Sequence, residues 1–101
     1  MLIIAWEFKV TAGNASQFEI AYGSNGTWAK LFSRSAGYLG TQLLRDTNQT
    51  DTYITLDRWQ SKEHYEQFRH AFGKDYAQLD KQFESFCQSE LLIAEFETAK
   101  T

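Results

Sequence analysis

Apolar and polar positions alternate over residues 2–10. Leu2, Ile4, Trp6, Phe8 and Val10 fall on one face of an extended chain, and Ile3, Ala5, Glu7 and Lys9 on the other. The pattern predicts a first strand, apolar on one side and mixed on the other, ended by Gly13 and Asn14. Asn14 followed three residues later by Gln17 has the form of a capping box, which places a helix start there. Phe18 and Tyr22 recur at i, i+4, and Gly23-Ser24-Asn25-Gly26 then interrupts. Trp28, Leu31 and Phe32 recur at i, i+3, i+4. The spacing predicts one broken helical segment over about 15–34, with the glycine-bearing interruption as a hinge or lid.

Residues 37–60 read as two strands joined by a polar loop from Asp46 to Asp51. Both strands carry apolar residues on both faces. Tyr38 and Leu44 alternate with Leu39 and Leu43, and Tyr53 and Trp59 with Ile54 and Leu56. A sheet wet on one side would show a cleaner alternation, so both faces need a cover. Ser61 is placed to cap the next helix, which repeats Tyr65, Phe68 and Phe72 at i, i+3, i+7. Gly73 breaks that run. Tyr76, Leu79, Phe83 and Phe86 continue it as a third amphipathic helix. A last strand over 90–97 puts Leu92, Ala94 and Phe96 on one face, and Leu91, Ile93 and Glu95 on the other.

The order βαββαβ predicts an α+β fold of the ferredoxin-like type: one domain over 1–101, with helices on one face of a four-stranded antiparallel sheet. The uncovered face would expose some of Tyr38, Leu39, Leu43, Ile54, Leu56, Leu91 and Ile93. A patch of that kind marks an interface. The expectation is a homodimer formed by sheet-to-sheet packing.

Composition narrows the partners. The net charge is −3 over 101 residues and no run of Lys or Arg occurs, which argues against nucleic acid. The opening MLIIAWEF is apolar too briefly for a membrane span and has no basic leader. The single cysteine, Cys87, lies among aromatics in a helical pattern and reads as a reduced core thiol, which suits a cytoplasmic protein. Eight Phe, five Tyr and three Trp favour a packed core or an aromatic-lined pocket.

The pieces FEIAYGSNGTWAKLF, GYLGTQLLRD, TYITLDRW, SKEHYEQF and YAQLD occur in that order. Together they resemble the antibiotic biosynthesis monooxygenase family of the dimeric α/β-barrel superfamily. The resemblance rests most on Gly37, Tyr38, Leu39, Tyr53, Trp59, Ser61 and Tyr65. It implies a ferredoxin-like protomer whose sheet meets its partner's sheet. It also implies, for some members, oxidation of aromatic polyketides by O2 with no bound cofactor. Such chemistry needs a cleft for a planar ring, a group that takes a phenolic proton, and donors that hold the anion.

On that resemblance Asp57 and His64 are the candidate catalytic residues. Trp6, Tyr53, Trp59 and Tyr65 are the candidate substrate-binding residues. Each has a bland reading beside it: Trp6 and Trp59 as core, His64 as an exposed first-turn residue, and Arg45 and Arg58 as interface charges. Asp57 is the acid of interest because it shares its strand face with Tyr53, Thr55 and Trp59. A haem-opening branch of the superfamily carries an asparagine, a tryptophan and a histidine at places where this chain has Trp6, Phe68 and Asp80. Without that histidine there is no iron ligand. His64 and His70, six apart, lie on different sides of a helix and form no metal set with Cys87.

The expected function is a cofactor-independent monooxygenase that oxidises an aromatic or quinone-like small molecule with O2. The alternatives are a non-catalytic small-ligand-binding or stress-related homodimer, and an isomerase on the same cleft.

Overall fold

The computed structural model describes residues 1–99. The elements run β1 (Leu2–Val10), α1 (Ala15–Tyr22), α2 (Thr27–Phe32), β2 (Tyr38–Arg45), β3 (Thr52–Trp59), α3 (Lys62–Ala71), α4 (Gly73–Phe83) and β4 (Cys87–Glu97), with a 3-10 turn at Glu84–Phe86. The strands form one antiparallel sheet in the order β2-β3-β1-β4, the ferredoxin-like arrangement. The helices cover one of its faces. Leu2, Ile4, Phe8 and Val10 of β1 and Tyr53 and Trp59 of β3 are buried beneath them, packed on Phe18, Tyr22, Phe32 and Phe68. The covered faces of β1 and β3 therefore match the alternation in their sequences.

β2 and β4 do not, and the reason is the same in both. Tyr38 pairs with Trp59, but the next partners are Gly40 and Arg58, so Leu39 is an extra residue in a β-bulge. Gly40 takes φ +132, a conformation that L side chains rarely adopt. The bulge reverses the phase of the strand upstream of it. Tyr38 and Leu43 pack against the core, while Leu39 and Leu44 are exposed. In β4 the pairing passes from Ala5 with Ala94 to Trp6 with Leu92, leaving Ile93 as the extra residue. Leu91 thus joins Ala94 and Phe96 on the open side, against the expected grouping of Leu92 with Ala94 and Phe96. The exposed large apolar residues of the sheet strands are Leu39, Leu44, Leu91, Leu92, Ile93 and Phe96, without Tyr38 or Leu43.

Two local expectations are corrected. Asn14 precedes α1, but its side chain makes no cap hydrogen bond. Cys87 opens β4 rather than continuing a helix, because the helix ends at Phe83 and the 3-10 turn consumes Phe86. It is a free, half-buried thiol whose pKa burial raises to about 11, with Glu90 adding to the effect. Ser61 caps α3 as expected, accepting from the His64 N–H at 3.1 Å. Gly37, at φ +91, has no room for a side chain, since a Cβ there would lie 2.5 Å from the His64 ring. Among the described residues no helix is long and apolar enough to cross a membrane.

Candidate functional site

Between the helices and the middle of the covered sheet face lies a cavity. Its walls are aromatic: Trp6 and Phe8 from β1, Tyr22 from α1, Trp28 and Phe32 from α2, and Tyr76 from α4. The spacing that buries these rings also aims them inward. Trp28 and Phe32 are one turn apart on α2 and face the sheet together. Tyr22 packs on Phe8, and Tyr76 meets Trp28 edge to face at 5.0 Å. The cavity is narrow. It has about 370 Å³ of space free of protein atoms, part of it open to solvent, and little of that admits anything wider than a water. That is room for a few waters. A polycyclic ring enters only if the lining rings swing aside.

Polar groups are few and sit at two ends. At the closed end, Thr41 of β2 stands opposite Asp57 of β3 in the register. The Thr41 hydroxyl donates to Asp57 Oδ1 at 2.7 Å, and Thr41 Oγ1 lies 2.5 Å from the Tyr38 hydroxyl. With Asp57 ionised, Tyr38 donates to Thr41 and Thr41 donates to the carboxylate, an unbroken chain of hydrogen bonds. Tyr38 also lines a surface groove with Ser24, Lys30 and Ser33, so the chain leads from the cavity toward solvent. Asp57 is only 8 % exposed and has no cationic partner among the described residues. Burial pushes its pKa up to about 6, against the opposing pull of the Thr41 hydrogen bond.

At the open end stand Asp80 of α4 and Glu90 of β4, both exposed at the mouth. Partial burial raises both carboxyls; Glu84 adds to Asp80 while Arg69 opposes, and Asp80 itself adds to Glu90. Burial also raises the phenols of Tyr22 and Tyr76, so they act as neutral donors; the nearby Trp28 side chain partly opposes the shift at Tyr22. No lining residue is a histidine, cysteine, lysine or arginine.

Of the six candidate residues, the structure brings Trp6 and Asp57 into the cavity. The others stand elsewhere. The Tyr53 hydroxyl donates to Glu19 Oε2 at 2.5 Å near Leu43 and Arg45; burial, then Glu19, raises its pKa to about 12. Trp59 is fully buried, packed on Phe32, Tyr38, Tyr65 and Phe68. Tyr65 meets Trp59 edge to face and accepts from Arg69 Nη1 at 3.3 Å. His64 binds the Ser61 hydroxyl through Nδ1 at 2.7 Å and packs on Gly37, away from the cavity. Of the haem-branch positions, Trp6 and Asp80 line the cavity, whereas Phe68 is sealed in the core. The donors there are carboxylates and phenols, so the cavity does not fit a histidine-ligated iron porphyrin. Thr41, Trp28, Tyr76 and Glu90 were not singled out as site residues from the sequence. The only advance signal for Trp28 and Tyr76 was their helical spacing, which reads as core.

A family model described as antibiotic biosynthesis monooxygenase matches residues 1–78. No curated protein matches the chain. Among solved structures, a mutant of SnoaB from Streptomyces nogalater, described as a cofactor-independent oxygenase, superposes with TM-score 0.76 at 15 % identity, covering 99 % of this chain and 94 % of that one. PA3566 from Pseudomonas aeruginosa gives 0.69 at 14 % identity, covering 98 % and 94 %. A mutant of MhuD, with two manganese protoporphyrin IX bound per active site, gives 0.71 at 21 % identity, covering 100 % and 97 %. At these identities the likeness is one of fold.

Proposed function

The chain belongs to the antibiotic biosynthesis monooxygenase family, and from that premise we propose that it is a cofactor-independent monooxygenase oxidising an aromatic or quinone-like small molecule with O2. The observation that carries the reading is Asp57: a buried carboxyl at the closed end of an aromatic cavity, unpaired with any cation and tuned to about pH 6. A general base works best when its pKa lies near the operating pH.

In the reaction, Asp57 takes the proton of a ring hydroxyl. The electron-rich anion passes one electron to O2, giving a ring radical and superoxide. These join at a ring carbon that bears hydrogen, and the peroxide takes the proton back from Asp57. Loss of water from that carbon leaves a carbonyl, so one oxygen atom ends in the product and the other in water. Trp28, Tyr22 and Tyr76 supply neutral N–H and O–H donors for the anion. Thr41 and Tyr38 provide Asp57 with a route for proton exchange with solvent. His64, Tyr53, Trp59 and Tyr65 act in this scheme by supporting the walls.

Oxygen consumption with a panel of anthrones, hydroquinones and naphthols tests the reading. Uptake by the wild-type protein that is lost in Asp57→Asn supports it. Tight binding without uptake overturns it in favour of a ligand-binding protein.

A homodimer is the second part of the proposal. It is supported by the open sheet face, where Ile3, Ile54 and Leu56 are half-buried and Leu44, Leu91 and Phe96 exposed, with no helix over them. Burying each Leu or Ile contributes roughly 1.5–3 kcal/mol. Half a dozen on each copy offset an association cost of about 4–15 kcal/mol. A sedimentation run showing a monomer at micromolar concentration overturns it.

A further inference from the structure

The cavity is asymmetric in charge as well as in depth. Asp57 stands opposite Ile4 of β1, and Glu90 opposite Phe8, with β1 between their strands. Two strand spacings across and four residues along separate their Cα positions by about 16 Å. The closed end thus holds one buried carboxyl, and the mouth holds two more, Asp80 and Glu90. Between them lie aromatic rings.

The mouth is short of positive charge. Arg69 is the one cation that bears on Asp80, and it is shared: its guanidinium lies 3.9 Å from the centroid of the Tyr76 ring and donates to the Tyr65 hydroxyl. Glu84 adds further negative charge near Asp80. Among the described residues the single ion pair is Arg34 with Asp75, neither of which lines the cavity.

A second observation is independent of the acids. Trp28 is 7 % exposed, and its buried indole Nε1–H lies near the Tyr22 hydroxyl without closing a hydrogen bond of good geometry, although the ring lines the cavity. A buried N–H left unpaired is destabilising, and an acceptor on an occupant would relieve it. The occupant therefore meets neutral donors in the wall, Trp28 among them, and two anions at the entrance. Aromatic faces flanked by carboxylates favour a cation and repel an anion.

We infer that the substrate of this cavity carries a positively charged nitrogen on its aromatic frame, held at the mouth by Asp80 and Glu90 between Tyr22 and Tyr76, while its oxidisable end reaches Trp28 and Asp57. This rests on the cavity being the substrate site of the proposed oxygenase. The positive nitrogen also brings into the cavity a positive charge that no lining side chain provides.

Three probes of one shape test the inference by calorimetry without oxygen: 1-naphthylmethylammonium, 1-naphthalenemethanol and 1-naphthoate. The ammonium ion should bind about tenfold tighter than the alcohol, with naphthoate weakest, and the margin should shrink as salt is added. In Asp80→Asn/Glu90→Gln the ratio of ammonium to alcohol affinity should fall to within about threefold. Both positions are exposed, and a ratio of two affinities is insensitive to partial loss of folded protein. Equal binding of all three probes, a preference for naphthoate, a ratio unchanged in the double variant, or no binding up to millimolar concentration overturns the inference. Asp57-dependent oxygen uptake on neutral hydroquinones without an ammonium preference would sink this inference and leave the oxygenase standing. An ammonium preference without uptake on any substrate would do the reverse.

Discussion

The two faces of the sheet bury different kinds of apolar residue. The covered face carries the rings Trp6, Phe8, Tyr53 and Trp59 beside Leu2, Ile4 and Val10, interrupted by Thr55 and Asp57. The open face carries Ile3, Ile54 and Leu56, with Leu44 and Phe96 toward the edges. Rings pack edge to face, so they leave gaps, and several bring a polar atom with them. Branched aliphatic side chains interdigitate and bring none. One face is thus built to enclose a cavity with a few directed polar groups, and the other to meet a second apolar surface. Substitutions on the two faces should fail in different ways.

The largest effect is expected from Asp57→Asn. If the carboxylate is the base, kcat should fall about 10²–10⁴-fold. In the wild type, activity should rise with pH through about 6, as the carboxyl ionises, and the substitution should abolish that limb. Stability should move the other way. Asp57 has a folded pKa of about 6, above the ordinary 3.8, so its contribution is present below about pH 4 and is lost as pH rises to about 6. An asparagine amide carries no such charge, and the variant should therefore be more stable than wild type at pH 7, by on the order of 1–3 kcal/mol. Denaturant titrations at pH 4 and pH 7 would show whether the gain is confined to the higher pH.

Trp59→Ala tests the covered face as a core. The indole is completely buried among four rings, and its loss should cost about 3–5 kcal/mol in chemical denaturation. Leu56→Asp tests the open face. It should weaken the proposed dimer by about 2 kcal/mol, roughly thirty-fold in Kd by sedimentation, while the circular dichroism of the monomer stays the same. A monomer that unfolds instead would mean that the open face serves the protomer alone. The smallest effect is expected from Thr41→Val. Removing the donor to ionised Asp57 should raise the midpoint of the pH–activity curve by about one unit. A midpoint that does not move would separate Thr41 from the chemistry.

Strict alternation made β1 and β3 legible, and with them the buried face that includes Asp57. The loop from Asp46 to Asp51 and the Ser61 cap were legible because turn and cap chemistry is local. The phases of β2 and β4 were not, since a single extra residue in each reverses every position beyond it. Gly40 was the one warning in β2; nothing comparable marks Ile93. Within the candidate site, sharing a strand face with Asp57 was too coarse a criterion. Tyr53 and Trp59 lie six residues apart, about 20 Å along the strand. The cavity spans only the middle of that length, so Tyr53 reaches Glu19 and Trp59 reaches Phe68 instead. The wall contributed by α2 and α4 was hidden for a different reason: an aromatic stripe on a helix looks the same whether it fills a core or borders a space.

The bulge at Leu39 has a consequence for how the chain can change. In a regular strand Tyr38 and Thr41, three residues apart, would point to opposite sides of the sheet. The extra residue restores them to the same side, so the hydroxyl of one reaches the hydroxyl of the other. The path for protons through β2 is therefore written in a count of residues as much as in their identities. A strand straightened at Gly40 with no residue removed would leave every polar group of that path in the sequence and still place Tyr38 and Thr41 on opposite surfaces. A comparison of relatives by those polar residues alone would miss such a loss, whereas the residue at the Gly40 position would reveal it.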